Sequence, residues 1–274
     1  MVDATKFQFT NPAVPKAYDE YFVPRLFEPW AKLVLEEARL RPGEALIDIA
    51  TGPGTVARLA APILGPKGRI VATDIAKPML EIARAKSALR NAAPIEYVES
   101  GAAPLAAPSD AFDVVMCQQG LQFFPDRPAA LREMLRVLRK SGRAYISIWA
   151  EIERNEIFAA FHRALRATAP AELTQLITAP FSWHDTAQLK AAAEKAGFGS
   201  VRILTLSHPM VMEQGLEQAV RSFAATPVAP GVAALPAGVQ AAFFAKMREE
   251  LARLLRDGQV VGEMVSNIIV ARPA

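Results

Sequence analysis

The sequence predicts an α/β fold in which helices cover a mostly parallel sheet, and three observations lead to it. From residue 44 onwards, short runs rich in β-branched residues alternate with longer runs of helical character. The first β-rich run ends in a glycine turn, Gly52-Pro53-Gly54, and an alanine-rich helical segment follows at once. No internal repeat or low-complexity linker divides the 274 residues, so we expect a single domain over 1–274.

The predicted strands are short apolar runs bounded by glycine, proline or charged residues. Five of them follow one another closely, and two more come after a helical interruption beyond Trp149. In chain order the strands cover 44–50, 69–75, 95–100, 112–118, 143–149, 200–207 and 264–272.

The intervals between the strands have helical periodicity. Pro78 stands at a favoured first-turn position, and Gly197 closes the helix that precedes the strand at 200–207. Three segments carry their apolar residues on one helical face. These residues are Leu131, Met134, Leu135 and Leu138 in 128–140, Phe158, Phe161 and Leu165 after Trp149, and Phe244, Met247, Leu251 and Leu254 in 240–256.

Composition excludes several classes of protein. Lys and Arg number 31 against 28 Asp and Glu, and a dispersed net charge of +3 does not indicate a nucleic-acid partner. The single cysteine, Cys117, excludes an internal disulfide and is expected to be a small core residue, and the three histidines lack metal-ligand spacing. The N-terminus lacks the pattern of a secretion signal, so we expect a reducing, cytoplasmic setting.

One stretch, 222–245, contains no charged residue. Its three prolines and two glycines interrupt any long helix, so we expect a lid or loop there and no membrane span.

The glycine turn fits two kinds of cofactor site. Gly52-x-Gly54-x-x-Ala57, with Asp74 placed 20 residues after Gly54, satisfies the relaxed dinucleotide fingerprint and favours an NAD-dependent oxidoreductase. Two features count against that interpretation. Asp48 lies inside the first strand, where dinucleotide sites usually carry an apolar residue. None of the four tyrosines is followed four positions later by lysine, so one familiar hydride-transfer arrangement is absent, while a histidine-based one stays open.

Four stretches, in order and at matching spacing, make the sequence resemble the class I S-adenosylmethionine-dependent methyltransferases, in particular the ubiquinone/menaquinone-biosynthesis-like (type 11) group. They are IDIATGPG, ATDIAKPMLEIAR, FDVVMCQQGLQFFPD and ALREMLRVLRKSGR. The resemblance runs from about Tyr18 to Trp149 and more loosely to the end. It implies a Rossmann-like, doubly wound, seven-stranded sheet with its last strand antiparallel and with helical cap insertions. The implied segments are an N-terminal helical cover (1–40), a cofactor-binding core (41–150), cap insertions (151–182 and 208–258) and the last strand (259–274).

The resemblance also implies a site for S-adenosylmethionine, with S-adenosylhomocysteine as the product. Asp74 matches the acid that accepts hydrogen bonds from both ribose hydroxyls, Ile75 and Met79 would flank the adenine, and Gln118 would line the methionine part. The loop from Ala50 to Gly54 would face the methionine and ribose. The implied cofactor residues are Asp48, Ala50, Thr51, Gly52, Gly54, Asp74, Ile75, Met79, Gly101, Ala102 and Gln118.

Three departures from the family pattern stand out. Ala50 replaces the first glycine of the loop, and Lys140-Ser141-Gly142 replaces a Pro-Gly-Gly turn. Ser100-Gly101-Ala102 stands where the family usually has Gly-Asp-Ala, whose aspartate bonds the adenine amino group. Adenine recognition is therefore expected to use backbone, water or a neighbour such as Glu99.

Methyl transfer from a sulfonium is an in-line displacement that positioning and desolvation can accelerate without a protein nucleophile. A base is needed only if the acceptor must lose a proton, and the candidates are His184, His162 and Tyr21. His184 stands between Ser182 and Asp185, either of which is expected to cap the next helix.

Gln119, Gln122 and Phe124 follow the fourth strand and either orient a substrate or cap the following helix. We therefore expect methylation of a small, apolar or aromatic acceptor, with a homodimer left open. The alternatives are an NAD-dependent oxidoreductase and a non-catalytic module that binds S-adenosylmethionine.

Overall fold

The computed structural model describes residues 13–274, and residues 1–12 of the expected N-terminal cover lie outside the described part. The chain forms two compact units. The unit that we call the sheet unit comprises 27–148, 184–206 and 267–274, and the helical unit comprises the described residues up to 26, 149–183 and 207–266. The organisation as one domain with cap insertions stays a prediction.

Eight strands form one sheet. Their bounds are β1 Ala45–Ile49, β2 Arg69–Asp74, β3 Ile95–Glu99, β4 Phe112–Gln118, β5 Leu138–Trp149, β6 Phe198–Met212, β7 Leu255–Arg256 and β8 Gln259–Pro273. The order across the sheet is β3-β2-β1-β4-β5-β8-β6, with β7 paired only to β8. All seven predicted strands are therefore present. The additional one, β7, turns through Asp257 and Gly258, both at positive φ, and pairs antiparallel with Gln259 and Val260.

The pairs β3–β2, β2–β1, β1–β4 and β4–β5 are parallel. From β1 the chain proceeds outward to β2 and β3 on one side, and then returns to β4 and β5 on the other. This reversal confirms a doubly wound α/β fold. In such sheets the carboxyl ends of the two strands at the reversal, here β1 and β4, border the ligand-binding crevice.

Five helices belong to the sheet unit. They are α2 Glu28–Ala38, α3 Thr55–Leu64, α4 Lys77–Ala85, α5 Arg127–Val137 and α8 Thr186–Lys195. Helices α2 and α3 bury alanine, valine and leucine side chains in one core cluster with Leu46, Val114 and Ile268 of the sheet. This packing holds β1 and its following turn in place.

The helical unit contains six further α-helices and a π-helix. The bounds are α1 Ala13–Ala17, π-helix Tyr18–Phe27, α6 Glu156–Thr168, α7 Ala171–Thr178, α9 Leu216–Ser222, α10 Ala229–Ala233 and α11 Ala237–Ala252. The last residue of the π-helix, Phe27, already belongs to the sheet unit. Short 3₁₀ turns cover Leu121–Phe123 in the sheet unit and Ile152–Arg154, Ala179–Phe181 and Phe223–Ala225 in the helical unit.

A chain of aromatic rings joins the elements of the helical unit. Its successive ring centroids lie 4.9 to 5.8 Å apart, a distance at which aromatic pairs attract one another. The rings belong to Phe22, Phe158, Phe161, Phe181, Phe223 and Phe243. The predicted apolar face of Phe158, Phe161 and Leu165 on α6 is confirmed, since all three side chains are buried.

Three local predictions were wrong. The segment 222–245, expected to be a lid or loop in which proline breaks any helix, contains a 3₁₀ turn, α10 and the start of α11, because Pro230 and Pro236 stand at helix starts, where proline is tolerated. Its role as a lid stays a prediction. On α11 the buried phenylalanine is Phe243 rather than Phe244. Helix α5 ends at Val137, and Leu138 already pairs with Phe112 as the first residue of β5.

No helix within residues 13–274 is both long and apolar enough to cross a membrane.

Candidate functional site

The carboxyl ends of β1, β2 and β4 bring the expected cofactor residues of the sheet unit together. In the parallel register Ile49 pairs with Thr73, and Asp48 pairs with Met116. The turn after β1, Asp74 at the end of β2 and Gln118 at the end of β4 therefore share one edge of the sheet.

Asp48 is a buried carboxylate that holds the glycine turn. It is 1% exposed, and its Oδ2 accepts hydrogen bonds from Thr51 Oγ1 (2.5 Å) and Ala57 N (3.2 Å). Its Oδ1 has no hydrogen-bond partner among the described residues. Burial, with a smaller contribution from the charge of Asp74, raises the pKa of Asp48 to about 7.

The turn itself has a left-handed backbone at Ala50, Gly52 and Gly54, with φ of 58°, 54° and 80°. Thr51 N donates to Thr73 O (2.9 Å), which ties the turn to β2. A Cβ atom on Gly54 would lie 2.9 Å from Tyr97 Oη, so this position requires glycine for space as well as for φ. Ala50 occupies the same backbone region with a Cβ, at a cost of roughly 1 to 2 kcal/mol.

Asp74 fixes the other side of the turn. Its Oδ2 accepts from Gly52 N and its Oδ1 from Ala76 N, each at 2.8 Å. The backbone N–H of Ile75 also bonds this carboxylate, so it keeps capacity for about one further hydrogen bond. Asp74 is 9% exposed, and burial raises its pKa.

The residues expected to flank an adenine differ in exposure. Ile75 is 59% exposed, which is unusual for a large apolar side chain, whereas Met79 is 2% exposed and offers little surface to a ligand. After β3, Gly101 and Ala102 are half-buried, and Ser100 N donates to Asp74 O (3.0 Å). Loop 100–102 therefore lies directly beside Asp74.

Glutamines gather after β4. Gln118 Nε2 donates to Phe27 O (2.9 Å), which leaves its buried Oε1 without a partner among the described residues. Gln122 is 3% exposed, its Nε2 donates to Gln119 Oε1 (3.4 Å), and its Oε1 is likewise unsatisfied within residues 13–274. Phe124 is half-buried, and a Cβ on Gly120 would lie 3.4 Å from its ring.

Two polar residues at this edge were missed by the sequence reasoning. Thr73 and Ser147 are fully or almost fully buried, and neither hydroxyl has a hydrogen-bond partner in the described part of the chain. Ser147 pairs in register with Gln118. Buried polar atoms are normally satisfied, so unsatisfied ones on Asp48, Thr73, Gln118, Gln122 and Ser147 near one edge indicate a ligand or water site. The available signal was a hydroxyl residue inside an otherwise apolar strand.

The three candidate bases are placed as follows. His184, in the sheet unit, is held by its backbone, because its carbonyl accepts from Asn267 Nδ2 (2.9 Å). The helix cap is Asp185, which accepts from Gln188 N (2.8 Å). Tyr21 lies on the π-helix of the helical unit and is half-buried. None of these features assigns a catalytic role, so His184 and Tyr21, like His162 described next, stay predictions.

His162 lies on α6 of the helical unit, where burial lowers its pKa. It lines an open cavity of about 400 Å³ together with Arg166, Ala169, Ala171, Thr174 and Gln175.

Cys117 is 1% exposed, which confirms it as a core residue, and burial raises its pKa.

Comparison with known families gives one match over most of the chain. The profile of the ubiE/COQ5 methyltransferase family matches residues 22–213. The ubiquinone/menaquinone biosynthesis C-methyltransferase UbiE of Ectopseudomonas mendocina is 36% identical over 118 residues, which are 43% of this chain and 46% of that protein. The UbiE of Xanthomonas campestris pv. campestris is 35% identical over 124 residues, 45% of this chain and 49% of that protein. The match thus spans about half the length of these relatives.

Solved structures show the same fold. Phosphoethanolamine N-methyltransferase 2 of Haemonchus contortus, solved with phosphomonomethylethanolamine and S-adenosylhomocysteine, superposes with a TM-score of 0.63 at 15% identity, over 99% of this chain and 60% of that one. The YcgJ protein of Bacillus subtilis gives a TM-score of 0.59 at 17% identity, over 89% of this chain and 98% of that one. At these identities the similarity establishes a shared fold and nothing about activity.

Proposed function

Because the chain belongs to the ubiE/COQ5 methyltransferase family, we propose that it transfers a methyl group from S-adenosylmethionine to a small, apolar or aromatic acceptor. The observation that carries this proposal is the pair of buried carboxylates, Asp48 and Asp74, on either side of the glycine turn. In their ionised form these carboxylates attract a cationic ligand such as a sulfonium with an ammonium group, and ionised Asp48 disfavours a pyrophosphate at the glycine turn. Because burial raises the pKa of Asp48 to about 7, its attraction for a cation is strongest above neutral pH.

The residues at the sheet edge fit the parts of such a cofactor. The N-terminus of α3, opened by Gly54, suits a carboxylate. The remaining acceptor capacity of Asp74 suits a ribose hydroxyl. The unsatisfied Oε1 of Gln118, held in place by the bond to Phe27 O, suits an ammonium donor. Substrate contacts by Gln119, Gln122 and Phe124 are part of the proposal.

S-adenosylmethionine supplies an electrophilic methyl group, so the protein has to align the acceptor and exclude water. Well-oriented reactants reach effective molarities of roughly 10⁵ M or more, and no protein nucleophile is required. A base is required only for an acceptor that must lose a proton, and we assign none of His184, His162 or Tyr21 to that role.

The test is release of S-adenosylhomocysteine in the presence of phenols, quinone precursors, amines and carboxylic acids. We expect release that depends on one class of acceptor and that is lost in Asp74→Ala. The matched control is Glu96→Ala, which removes an exposed carboxylate from β3 of the same sheet. Binding of S-adenosylmethionine without release for any acceptor would favour the non-catalytic binding module instead.

The proposal includes location and assembly. A single buried thiol, Cys117, suits a reducing cytoplasm, and a homodimer is the assembly to test. Light scattering of the purified protein distinguishes a mass near 29.7 kDa from twice that value.

A further inference from the structure

The loop that follows β3 lies at the end of the cofactor edge. Asp74 and Glu99 pair in register, and Ser100 N donates to Asp74 O (3.0 Å). If Asp74 holds a ribose and the N-terminus of α3 holds the carboxylate, the base extends away from β1, towards β3. This placement rests on the function proposed above.

Loop 100–102 carries no carboxylate or amide side chain to bond the polar edge of a base, and its one hydroxyl already uses its proton and one of its two lone pairs. Gly101 has no side chain, Ala102 has a methyl group, and Ser100 Oγ is engaged with Gly101 O (2.8 Å) and Ala106 N (2.9 Å). The exposed apolar side chain beside the ribose position is Ile75.

The stretch 105–107, which follows loop 100–102, is hydrogen-bonded to α5 residues 28 to 31 positions further along the chain. Glu133 Oε2 accepts from Leu105 N (2.8 Å), and Arg136 Nη2 donates to Leu105 O (3.2 Å) and Ala107 O (2.9 Å). The hydrogen bonds between Arg136 and Glu133 lower the pKa of that glutamate and keep it charged. Leu105 and Ala107 are therefore fixed relative to α5, and the bond from Ala106 N to Ser100 Oγ ties them to the start of loop 100–102.

We propose that the protein holds the purine through Ile75 and through backbone N–H groups of loop 100–102, which can bond only ring nitrogens, and that no group of the protein bonds the substituent at the 6-position of the ring. The ligand class is consequently broader than adenosyl compounds. Purine nucleoside sulfides that lack or modify the 6-amino group should bind nearly as well as S-adenosylhomocysteine.

The first test is calorimetric titration with S-adenosylhomocysteine and with its 6-deamino analogue, which keeps the ring nitrogens and loses only the amino group. We expect dissociation constants within about threefold of each other. If a carboxylate bonded the amino group, the analogue would bind about tenfold more weakly or worse. That result would overturn this inference and leave the proposed function intact. Failure of both compounds to bind overturns the inference and the proposed function together.

The second test introduces the missing carboxylate. Apart from its chain neighbours, a Cβ on Gly101 meets no described atom within 4 Å, and its φ lies outside the left-handed region, so Gly101→Asp is sterically tolerated. We expect Gly101→Asp to prefer S-adenosylhomocysteine over the 6-deamino analogue by about tenfold, whereas Gly101→Ala keeps the near-equal affinities. Equal affinities in a folded Gly101→Asp protein would place the base elsewhere and overturn the inference.

Glu99 is the alternative side chain that could bond the 6-amino group, since it is exposed and pairs in register with Asp74. Glu99→Gln should leave both dissociation constants unchanged. A loss of affinity confined to S-adenosylhomocysteine would assign the amino group to Glu99 and contradict the proposal.

Discussion

Replacing Asp48 by asparagine should remove a large pH dependence of stability. The side chain is 1% exposed, and burial raises its pKa from 3.8 to about 7. Asparagine keeps an oxygen that can accept from Thr51 Oγ1 and Ala57 N, as Asp48 Oδ2 does, but it carries no titrating proton.

The direction and size of the effect follow from the protons bound in each state. Between pH 4 and pH 7 the unfolded chain releases the Asp48 proton while the folded chain keeps it, so the free energy of unfolding falls as the pH rises. The stabilisation that comes from the raised pKa of Asp48 is fully present below about pH 4 and is lost above about pH 7. A difference of about three pKa units corresponds to about 4 kcal/mol, of which about 3 kcal/mol falls between pH 4.5 and 8.

The assay is equilibrium urea unfolding of wild type and Asp48→Asn, followed by tryptophan fluorescence from pH 4.5 to 8. We expect the stability of Asp48→Asn relative to wild type to increase by about 3 kcal/mol across this range. Asp113→Asn is a control of opposite sign. Burial alone would raise the pKa of Asp113, but hydrogen bonds from Ala45 N and Arg139 lower it. Parallel curves for wild type and Asp48→Asn would refute the reasoning.

Three further substitutions or modifications have expected outcomes. Gly54→Ala should lower the free energy of unfolding by at least about 1 to 2 kcal/mol, because φ is 80° and the new Cβ would lie 2.9 Å from Tyr97 Oη; unchanged urea unfolding would contradict this. Phe223→Ala should lower the free energy of unfolding by about 3 to 5 kcal/mol, since the ring of Phe223 is 2% exposed and lies 5.4 Å from that of Phe161. A thermal unfolding midpoint close to that of wild type would contradict this expectation. Cys117, whose pKa is raised by burial, should resist iodoacetamide at pH 8 in the native protein and react in urea, and rapid labelling of the native protein would disprove its burial.

Strands were predictable where short apolar runs end at glycine, aspartate or glutamine. The run 112–118 coincides with β4, and 69–75 exceeds β2 by one residue. The start of β5 was not predictable, because Leu138 continues the apolar periodicity of α5, and only its pairing with Phe112 makes it part of the sheet. Proline in 222–245 misled the reasoning, since local sequence does not distinguish a proline that starts a helix from one that breaks it.

The site divides in a similar way. The glycine turn and Asp74 follow a local pattern of spacing, and they could be identified without coordinates. The support of loop 100–107 by Glu133 and Arg136 could not, because those contacts join residues about 30 positions apart. The unsatisfied hydroxyls of Thr73 and Ser147 were also beyond the sequence, since their significance depends on burial and missing partners within the described chain.

The most direct test of the central claim is parallel calorimetric titration of wild type and Asp74→Ala with S-adenosylmethionine, S-adenosylhomocysteine and NAD. We predict that both sulfur compounds bind to wild type, that NAD does not, and that Asp74→Ala weakens binding by roughly 1 to 3 kcal/mol. Binding of NAD alone, or unchanged affinity in Asp74→Ala, would contradict the assignment of this sheet edge to S-adenosylmethionine.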